Sequence, residues 1–320
     1  MSREPRVTGP DPHPTLPTQW PRKSGPNPAD PATRWAQSVR AVLDEAARTL
    51  TEAGVASPRV DAEELLAHAL GVRRAALASG TGPEPAALQR FSALVEQRAE
   101  RVPLQHLTGV AGFRYLELSV GPGVFVPRPE TELLTGWAID RLRDVPAPMV
   151  ADLCAGSGAI ALSIAHEVPA ADVYAVELDP MAVAWARRNA DQRAGAGDRP
   201  ITLVEADAAD AHVLAEYDGM LDAVVMNPPY VPDDAVVDRE VAEHDPPLAL
   251  YGGPDGLSVV RRLIDRAAHL LQAGGILGIE HADLQGEALP AEVAADGRFA
   301  DVEDHRDLND RPRFTTATRR

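Results

Sequence analysis

The feature that most constrains this chain is an apolar run that closes on Asp152-Leu153-Cys154-Ala155-Gly156-Ser157-Gly158 and passes directly into Ala159-Ile160-Ala161. A strand that ends in a glycine-rich turn and reopens as a helix offers free backbone N–H groups at a helix N-terminus, and its glycines let a ligand approach closely. The next apolar segment ends at Glu177, 19 residues after Gly158. An acid at that distance can accept both ribose hydroxyls of an adenosine-containing ligand. Gly156-x-Gly158-x-x-Ala161 also matches the dinucleotide fingerprint, so the loop alone leaves a nicotinamide cofactor open.

The surrounding pattern is strand and helix in alternation. Apolar runs predict strands at 149–153, 172–176, 201–204, 222–226, 275–280, 299–304 and 314–318. Helical spacing predicts helices near 130–143, 158–167, 180–191, 256–273 and 284–295. Such alternation implies α/β: a doubly wound, mostly parallel, Rossmann-like sheet of seven strands. Two strands in succession at the end predict an antiparallel edge hairpin.

Upstream the period differs. From Trp35, apolar residues Val39, Val42, Leu43, Ala46 and Leu50 recur at helical spacing and stop at Gly54. Ser57-Pro58 reads as N-cap and first-turn proline of a second helix, which carries Ala62, Leu65, Leu66 and Ala69 inward and ends at Gly71. A third helix follows Pro85, with Leu88, Phe91 and Val95 on its apolar face. Leu116, Leu118 and Val120 then alternate with polar residues, and Gly121-Pro122-Gly123 can turn the chain, which predicts a β-hairpin. Residues 1–33 are Pro-rich and poor in core formers, as expected of a disordered tail. The expected organisation is a tail (1–33), a helical domain (34–109), a β-hairpin linker (110–128) and a ligand-binding α/β domain (129–320).

Charge and composition exclude several classes. With 31 Lys+Arg against 48 Asp+Glu and a net charge of −17, the 320-residue chain lacks the basic surface of a DNA-coating protein. No apolar stretch approaches the ~18 residues of a membrane span. No apolar leader opens the sequence, so a secretory signal is not expected. The one cysteine, Cys154, excludes an intramolecular disulfide and a multi-cysteine metal site. A reducing, cytoplasmic setting is expected.

The second informative motif is Asn227-Pro228-Pro229-Tyr230, directly after the 222–226 strand. That places it at the carboxyl end of a strand, where open α/β sheets bind ligands. The Pro-Pro pair pins the backbone and removes two donors, leaving carbonyls free to accept. Asn227 adds a side-chain carbonyl and Tyr230 a flat face. Together they form a clamp for a planar group bearing an NH₂, either a carboxamide or an exocyclic amine. A nicotinamide dehydrogenase has no use for such a clamp.

This motif resembles that of the S-adenosylmethionine-dependent amino-methyltransferases. Further segments narrow the resemblance: Arg59-Val60-Asp61-Ala62-Glu63-Glu64-Leu65-Leu66, Pro103-Leu104-Gln105-His106-Leu107-Thr108-Gly109, Val126-Pro127-Arg128-Pro129-Glu130-Thr131-Glu132 and Gly252-Gly253-Pro254-Asp255-Gly256-Leu257. In this order they resemble the peptide chain release factor glutamine N5-methyltransferase family, over residues 35–320. The resemblance implies methyl transfer from S-adenosylmethionine to the side-chain amide of the glutamine in the Gly-Gly-Gln loop of class 1 release factors. It implies a cofactor along Cys154, Ala155, Gly156, Ser157 and Gly158, with Glu177 on the ribose and Asp207 and Ala208 at the adenine. It implies that Asn227, Pro228, Pro229 and Tyr230 hold the glutamine amide, with Asn227, Pro228 and Tyr230 as the catalytic group and Asn227 also facing the cofactor. The helical domain is then a substrate-recognition domain. The chain departs from the family at Cys154, often glycine; at Ala208, often aromatic; and at Glu177, often aspartate.

A monomer acting on a protein, with no direct nucleic acid or membrane partner and no metal, is expected. A ribosomal-protein glutamine methyltransferase shares the clamp. A DNA amino-methyltransferase would need a basic groove, and a dehydrogenase fits only the glycine loop and Glu177. His106, His244 and His281 lack metal-ligand partners at suitable spacing and read as structural or solvated. The acidic run Asp233, Asp234, Asp238, Glu240, Glu243 and Asp245 reads as a solvated lid that can meet a basic surface on a partner.

Overall fold

A computed structural model describes residues 31–78 and 84–320, with side chains from residue 37 onward. Most of the Pro-rich segment predicted as a disordered tail therefore lies outside the described residues. Helices α1 (Pro31–Glu52), α2 (Pro58–Leu70) and α3 (Pro85–Ala99) form the helical domain. They pack Val39, Leu43, Leu50, Leu65, Leu66, Phe91 and Val95 into one core. Ser57 stands at the N-cap of α2, but its side chain makes no capping bond; its backbone carbonyl accepts the Asp61 N–H at 2.9 Å. The αL glycine Gly71 ends that helix as expected.

The short helix α4 (Leu104–Thr108) leads into an antiparallel hairpin of β1 (Val110–Phe113) and β2 (Leu116–Ser119). Its turn is Arg114-Tyr115, with Arg114 at φ +51°, and not the predicted Gly121-Pro122-Gly123. Gly121-Pro122-Gly123 does turn the chain, but after β2, with Gly123 at φ +88° and the Val124 N–H donating to Gly121 O at 3.4 Å; a Cβ on Gly121 would stand 2.6 Å from Trp185 Cζ2. The hairpin is a packed part of the α/β unit. Phe113, Leu116 and Leu118 bury against Ala159 and Leu162, and Arg114 pairs in a fork with Glu167 at 2.5 and 2.8 Å.

Then follow α5 (Thr131–Leu142), β3 (Met149–Asp152), α6 (Ala159–Glu167), β4 (Asp172–Glu177), α7 (Pro180–Gly195), β5 (Thr202–Glu205) and β6 (Leu221–Met226). The chain continues with α8 (Arg239–His244), α9 (Pro247–Leu250), α10 (Ser258–Leu270), β7 (Leu271–Glu280), α11 (Ala288–Ala295), β8 (Phe299–Arg306) and β9 (Pro312–Arg319). The strand order is β5-β4-β3-β6-β7-β9-β8. The first five are parallel, and β9 inserts antiparallel between β7 and the edge strand β8.

Period-2 burial explains the two-sided sheet. Along β6, Val224 and Met226 face a core shared with Leu263, Ile264 and Ala267 of α10, while Ala223 and Val225 face Leu134 and Ile139 of α5 and Ile164 of α6; a register shift between Leu221 and Ala223 brings Leu221 into the first core. Strand order reverses between β3 and β6, because β3 continues outward to β4 and β6 continues the other way to β7. Loops leaving the carboxyl ends of β3 and β6 therefore diverge, and a crevice opens between them.

Candidate active site

The loop after β3 is held from below and from the side. Asp152 is fully buried; its Oδ2 accepts the Ala161 N–H at 3.2 Å, while its Oδ1 has no partner among the described residues. Burial pushes its carboxyl up to about 7. Gly156 and Gly158 take φ +55° and +85°, left-handed values that favour glycine. The buried Asn189 of α7 ties this loop to the hairpin, donating to Ser157 O at 2.9 Å and to Ser119 O at 3.0 Å.

Glu177, at the end of β4, reaches across to the same loop. Its Oε2 accepts the Gly156 N–H at 2.7 Å; its Oε1 accepts the N–H groups of Leu178 and Asp179 at 2.8 and 2.9 Å. The carboxylate is thus fixed at the rim of the crevice. Asp207, after β5, accepts the Ala209 N–H at 3.0 Å and pairs with Arg262 at 2.8 Å, and these contacts hold it below the usual carboxylate range. Ala208 beside it is buried.

After β6, Asn227 donates from Nδ2 to the Thr131 hydroxyl at 3.2 Å. No described residue donates to its Oδ1. The backbone of the following residues is pressed into shape by the Gly252–Leu257 segment. A Cβ on Gly252 would lie 2.5 Å from Pro229 O, and one on Gly256 would lie 2.2 Å from Tyr230 O. Gln285 Nε2 donates to Tyr230 O at 3.0 Å. Burial, with Glu280 nearby, pushes the Tyr230 hydroxyl well above its ordinary range.

These elements enclose a cavity of about 470 Å³. Cys154, Ala155, Gly156, Ser157, Glu177, Asp207, Ala208, Asn227, Pro229 and Tyr230 line it together. Gly158 and Pro228 do not: Gly158 lies where α6 begins, where a Cβ would meet Leu162 at 3.1 Å and Ala186 at 3.8 Å, and Pro228 is buried. Burial keeps the Cys154 thiol protonated. His106, His244 and His281 lie outside the wall; His281 is buried against Asp304 at 3.0 Å.

The acidic run is only partly the solvated lid expected from its composition. Asp233 and Asp234 are exposed, but Glu240 accepts from Arg98 at 2.7 Å and Asp245 from Arg128 at 2.6 Å. Asp238 pairs with Arg101 at 3.0 Å. Arginines of α3, of the turn after it and of the 126–132 segment draw these acids in. Val241 within this run and Pro246, Leu248 and Leu250 just after it roof the cavity. The described residues contain no cluster of His, Cys, Asp and Glu able to hold a metal ion.

Sequence reasoning assigned no role to Phe125, Arg128, Thr131 and Arg262, which also line the cavity, or to Glu280 behind it. Three of them sit in or beside the 126–132 motif, so a motif with no assigned chemistry was the available signal. Glu280 had a different one, being an acid at the carboxyl end of a central strand.

Residues 41–109 match the family model described as the PrmC N-terminal domain, and residues 122–244 match the methyltransferase small domain. A release factor glutamine methyltransferase of Mycolicibacterium smegmatis is 48% identical over 281 residues, covering 88% of this chain and 98% of that protein. The chain belongs to the release factor glutamine methyltransferase family. Another member, from Streptomyces coelicolor, is 50% identical over 281 residues, with 87% and 96% covered. One from Mycobacterium tuberculosis is 43% identical over 287 residues, with 88% and 92% covered. The match to the methyltransferase small domain contains Gly156, Glu177, Asp207 and Asn227, so it spans both sides of the crevice between β3 and β6.

Proposed function

We propose that the chain transfers a methyl group from S-adenosylmethionine to the side-chain amide nitrogen, N5, of the glutamine in the Gly-Gly-Gln loop of class 1 peptide chain release factors. The observation that carries this reading is that Asn227, its Nδ2 engaged by Thr131, stands in one cavity with Glu177 and the glycine loop.

The residues suit that cofactor. Gly156 borders open space, with nothing within 4 Å of where a Cβ would be. Glu177, Asp179 and Asp207 line the cavity with negative charge that complements a sulfonium and accepts ribose hydroxyls. Ala208, Val259 and Leu263 supply an apolar wall for an adenine. A dinucleotide suits the site poorly, because the Gly156 N–H that would meet a pyrophosphate is already occupied by the Glu177 carboxylate. Cys154, Ala155, Gly156, Ser157, Glu177, Asp207 and Ala208 would hold the cofactor, with Gly158 shaping the loop from behind. S-adenosylmethionine, when bound, supplies an electrophilic methyl group.

An amide nitrogen is a weak nucleophile, its lone pair delocalised into the carbonyl. Asn227 Oδ1 accepts one of its N–H groups and orients the nitrogen. Of the neighbouring carbonyls, Tyr230 O is taken by Gln285 and Pro229 O is covered by Gly252; the second N–H is assigned to Pro228 O, although Pro228 does not itself line the cavity in this structure. The Tyr230 ring packs on the amide plane. Fixing a nucleophile in this way supplies several kcal/mol, up to ~7–11 in ideal near-attack geometry. Acceptors aimed at a nitrogen that gains positive charge add electrostatic stabilisation. The transferred-to nitrogen is then strongly acidic and releases its proton without a dedicated base.

The reading includes a monomeric enzyme that acts in the cytoplasm on a protein substrate, without binding nucleic acid directly. No described helix is long and apolar enough to cross a membrane. The test is incubation with tritiated S-adenosylmethionine, a class 1 release factor and ribosomal proteins, followed by mapping of the label. Label on the Gly-Gly-Gln glutamine supports the reading. Label only on a ribosomal protein, or on none, overturns it.

A further inference from the structure

Behind the cavity wall, Glu280 ends β7 with about 1% of its surface exposed, and its Oε2 has no hydrogen-bond partner among the described residues. Its carboxyl interacts with the hydroxyls of Thr131 and Tyr230. Thr131 is itself 4% exposed and accepts from Asn227 Nδ2 at 3.2 Å. A threonine hydroxyl has one proton to give. With its oxygen accepting from Asn227, that proton goes to Glu280, which as a carboxylate can only accept. The direction of every bond in the chain from Glu280 through Thr131 to Asn227 is thereby set from its buried end.

That direction matters to an asparagine more than to most side chains. Its two amide heads are nearly the same size, and a flip exchanges acceptor for donor. A flipped Asn227 would turn an NH₂ toward a substrate NH₂, donor against donor. We infer that Glu280 is a positioning residue, which through Thr131 fixes the Asn227 amide with Oδ1 toward the substrate and through the Tyr230 hydroxyl fixes the ring beside it. Glu280 touches neither substrate nor cofactor, and its effect is exerted entirely through those two side chains. The inference rests on the glutamine-methylating reading given above.

The charge state of Glu280 reinforces this role. Burial pushes its carboxyl up to about 7, opposed by Arg313 of β9 and raised further by Glu130 at the start of α5. Arg128 and Arg313 face the adjoining Tyr230. Below that pH the group is neutral, becomes a donor itself and no longer dictates the direction of the Thr131 bond. The kcat of the unsubstituted enzyme should therefore climb with pH through about 7.

Three variants test this in the full-length protein, with a class 1 release factor as substrate. Thr131→Val is nearly isosteric and removes the link. Glu280→Leu removes the anchor. Glu280→Gln keeps an acceptor oxygen and removes the charge. Supporting residues of this kind typically cost about 10–100-fold when lost. Thr131→Val and Glu280→Leu should each lower kcat by about that factor, with KM for the release factor and Kd for S-adenosylmethionine within about twofold. Their double variant should be no slower than the worse single one, because both break one chain. Glu280→Gln should retain more activity than Glu280→Leu and lose the pH-dependent rise in kcat. Unchanged kcat in Thr131→Val, or multiplicative losses in the double variant, would overturn the inference. If the unsubstituted enzyme leaves the glutamine unlabelled, the functional reading fails first and the inference with it. If the unsubstituted enzyme labels it and Thr131→Val does so equally well, only the inference fails.

Discussion

Arg98 of α3 lies between two carboxylates, donating from Nε to Asp61 of α2 at 2.8 Å and from Nη1 to Glu240 of α8 at 2.7 Å. Asp61 is buried with it inside the helical domain, whereas the Glu240 side chain is partly open to solvent. One guanidinium thus braces the helical domain and holds the segment that roofs the cavity.

The two ends of that bridge should respond very differently to truncation. Arg98→Ala strands a buried carboxylate, a change that typically costs about 3–5 kcal/mol. Glu240→Ala leaves Arg98 bonded to Asp61 and to the Val102 carbonyl and should cost about 1 kcal/mol or less. Chemical denaturation of both variants checks this, and equal losses would mean that the pair with Asp61 is not the dominant contact.

Cofactor binding should be visible as stabilisation. At a hundredfold excess over Kd, a ligand that binds only the folded state adds about 2.7 kcal/mol. S-adenosylmethionine or its demethylated product should raise Tm accordingly, while NAD should not, given the Glu177 carboxylate on the Gly156 N–H. A Tm shift with NAD alone would return the glycine loop to the dinucleotide reading.

The parallel sheet was legible because β3, β4 and β6 are short apolar runs bounded by Asp, Gly and Pro, and such runs are what a sheet buried on both faces requires. The glycine loop, Glu177 and the Asn227 segment were legible because a strand's carboxyl end is fixed by local pattern. What escaped depends on residues far apart in sequence. Thr131 and Asn227 are separated by 96 residues, and Arg98 and Glu240 by 142, so no local pattern announces either contact. The hairpin turn escaped for a local reason, since Arg114 adopts a positive φ without the glycine that normally signals one.

Glycine at 256 is required twice over, by φ +73° and by the Tyr230 carbonyl 2.2 Å from any added Cβ. Gly274 has φ +84° but nothing within 4 Å, so it carries the conformational cost alone. Gly274→Ala should cost about 1–2 kcal/mol. Gly256→Ala should cost more and should also displace Tyr230, lowering kcat, which the Gly274 variant should leave unchanged. Thermal unfolding and single-turnover rates of the two variants separate strain from displacement.

The buried carboxyls predict an acid-favouring trend in stability. Asp152 and Glu280 are both raised to about 7 in the folded protein, against about 4 in an unfolded chain. Between about pH 4 and 7 the folded state holds protons that the unfolded state has released, so their contribution falls as pH rises and levels off above 7. Carboxyls held low, such as Asp198 and Asp207, act in the opposite sense and only below about pH 4. Asp152→Asn should match the unsubstituted protein at about pH 4 and gain on it steadily up to about pH 7–8. Melting curves across that range check it, and an unchanged slope would show that Asp152 folds ionised.

Asn227 offers the most direct test of the proposed chemistry. Its Nδ2 is engaged by Thr131, so the group left for a substrate is one acceptor, and Asn227→Ala removes it while leaving Glu177 and the glycine loop in place. Loss of a single positioned hydrogen-bonding group in a desolvated site costs on the order of 10²–10³ in rate. Asn227→Ala should therefore lose transfer by about that factor and bind S-adenosylmethionine almost as before. Asn227→Asp keeps shape and an acceptor but brings two carboxyl oxygens to the Thr131 hydroxyl and a negative charge to the methyl donor. It should retain more kcat than Asn227→Ala on a release factor. Isothermal titration with the cofactor and steady-state methylation, run on both variants, distinguish the roles. An alanine variant that binds cofactor weakly yet turns over normally would make Asn227 a cofactor ligand, and the amide clamp would then rest on the backbone carbonyl of Pro228 alone.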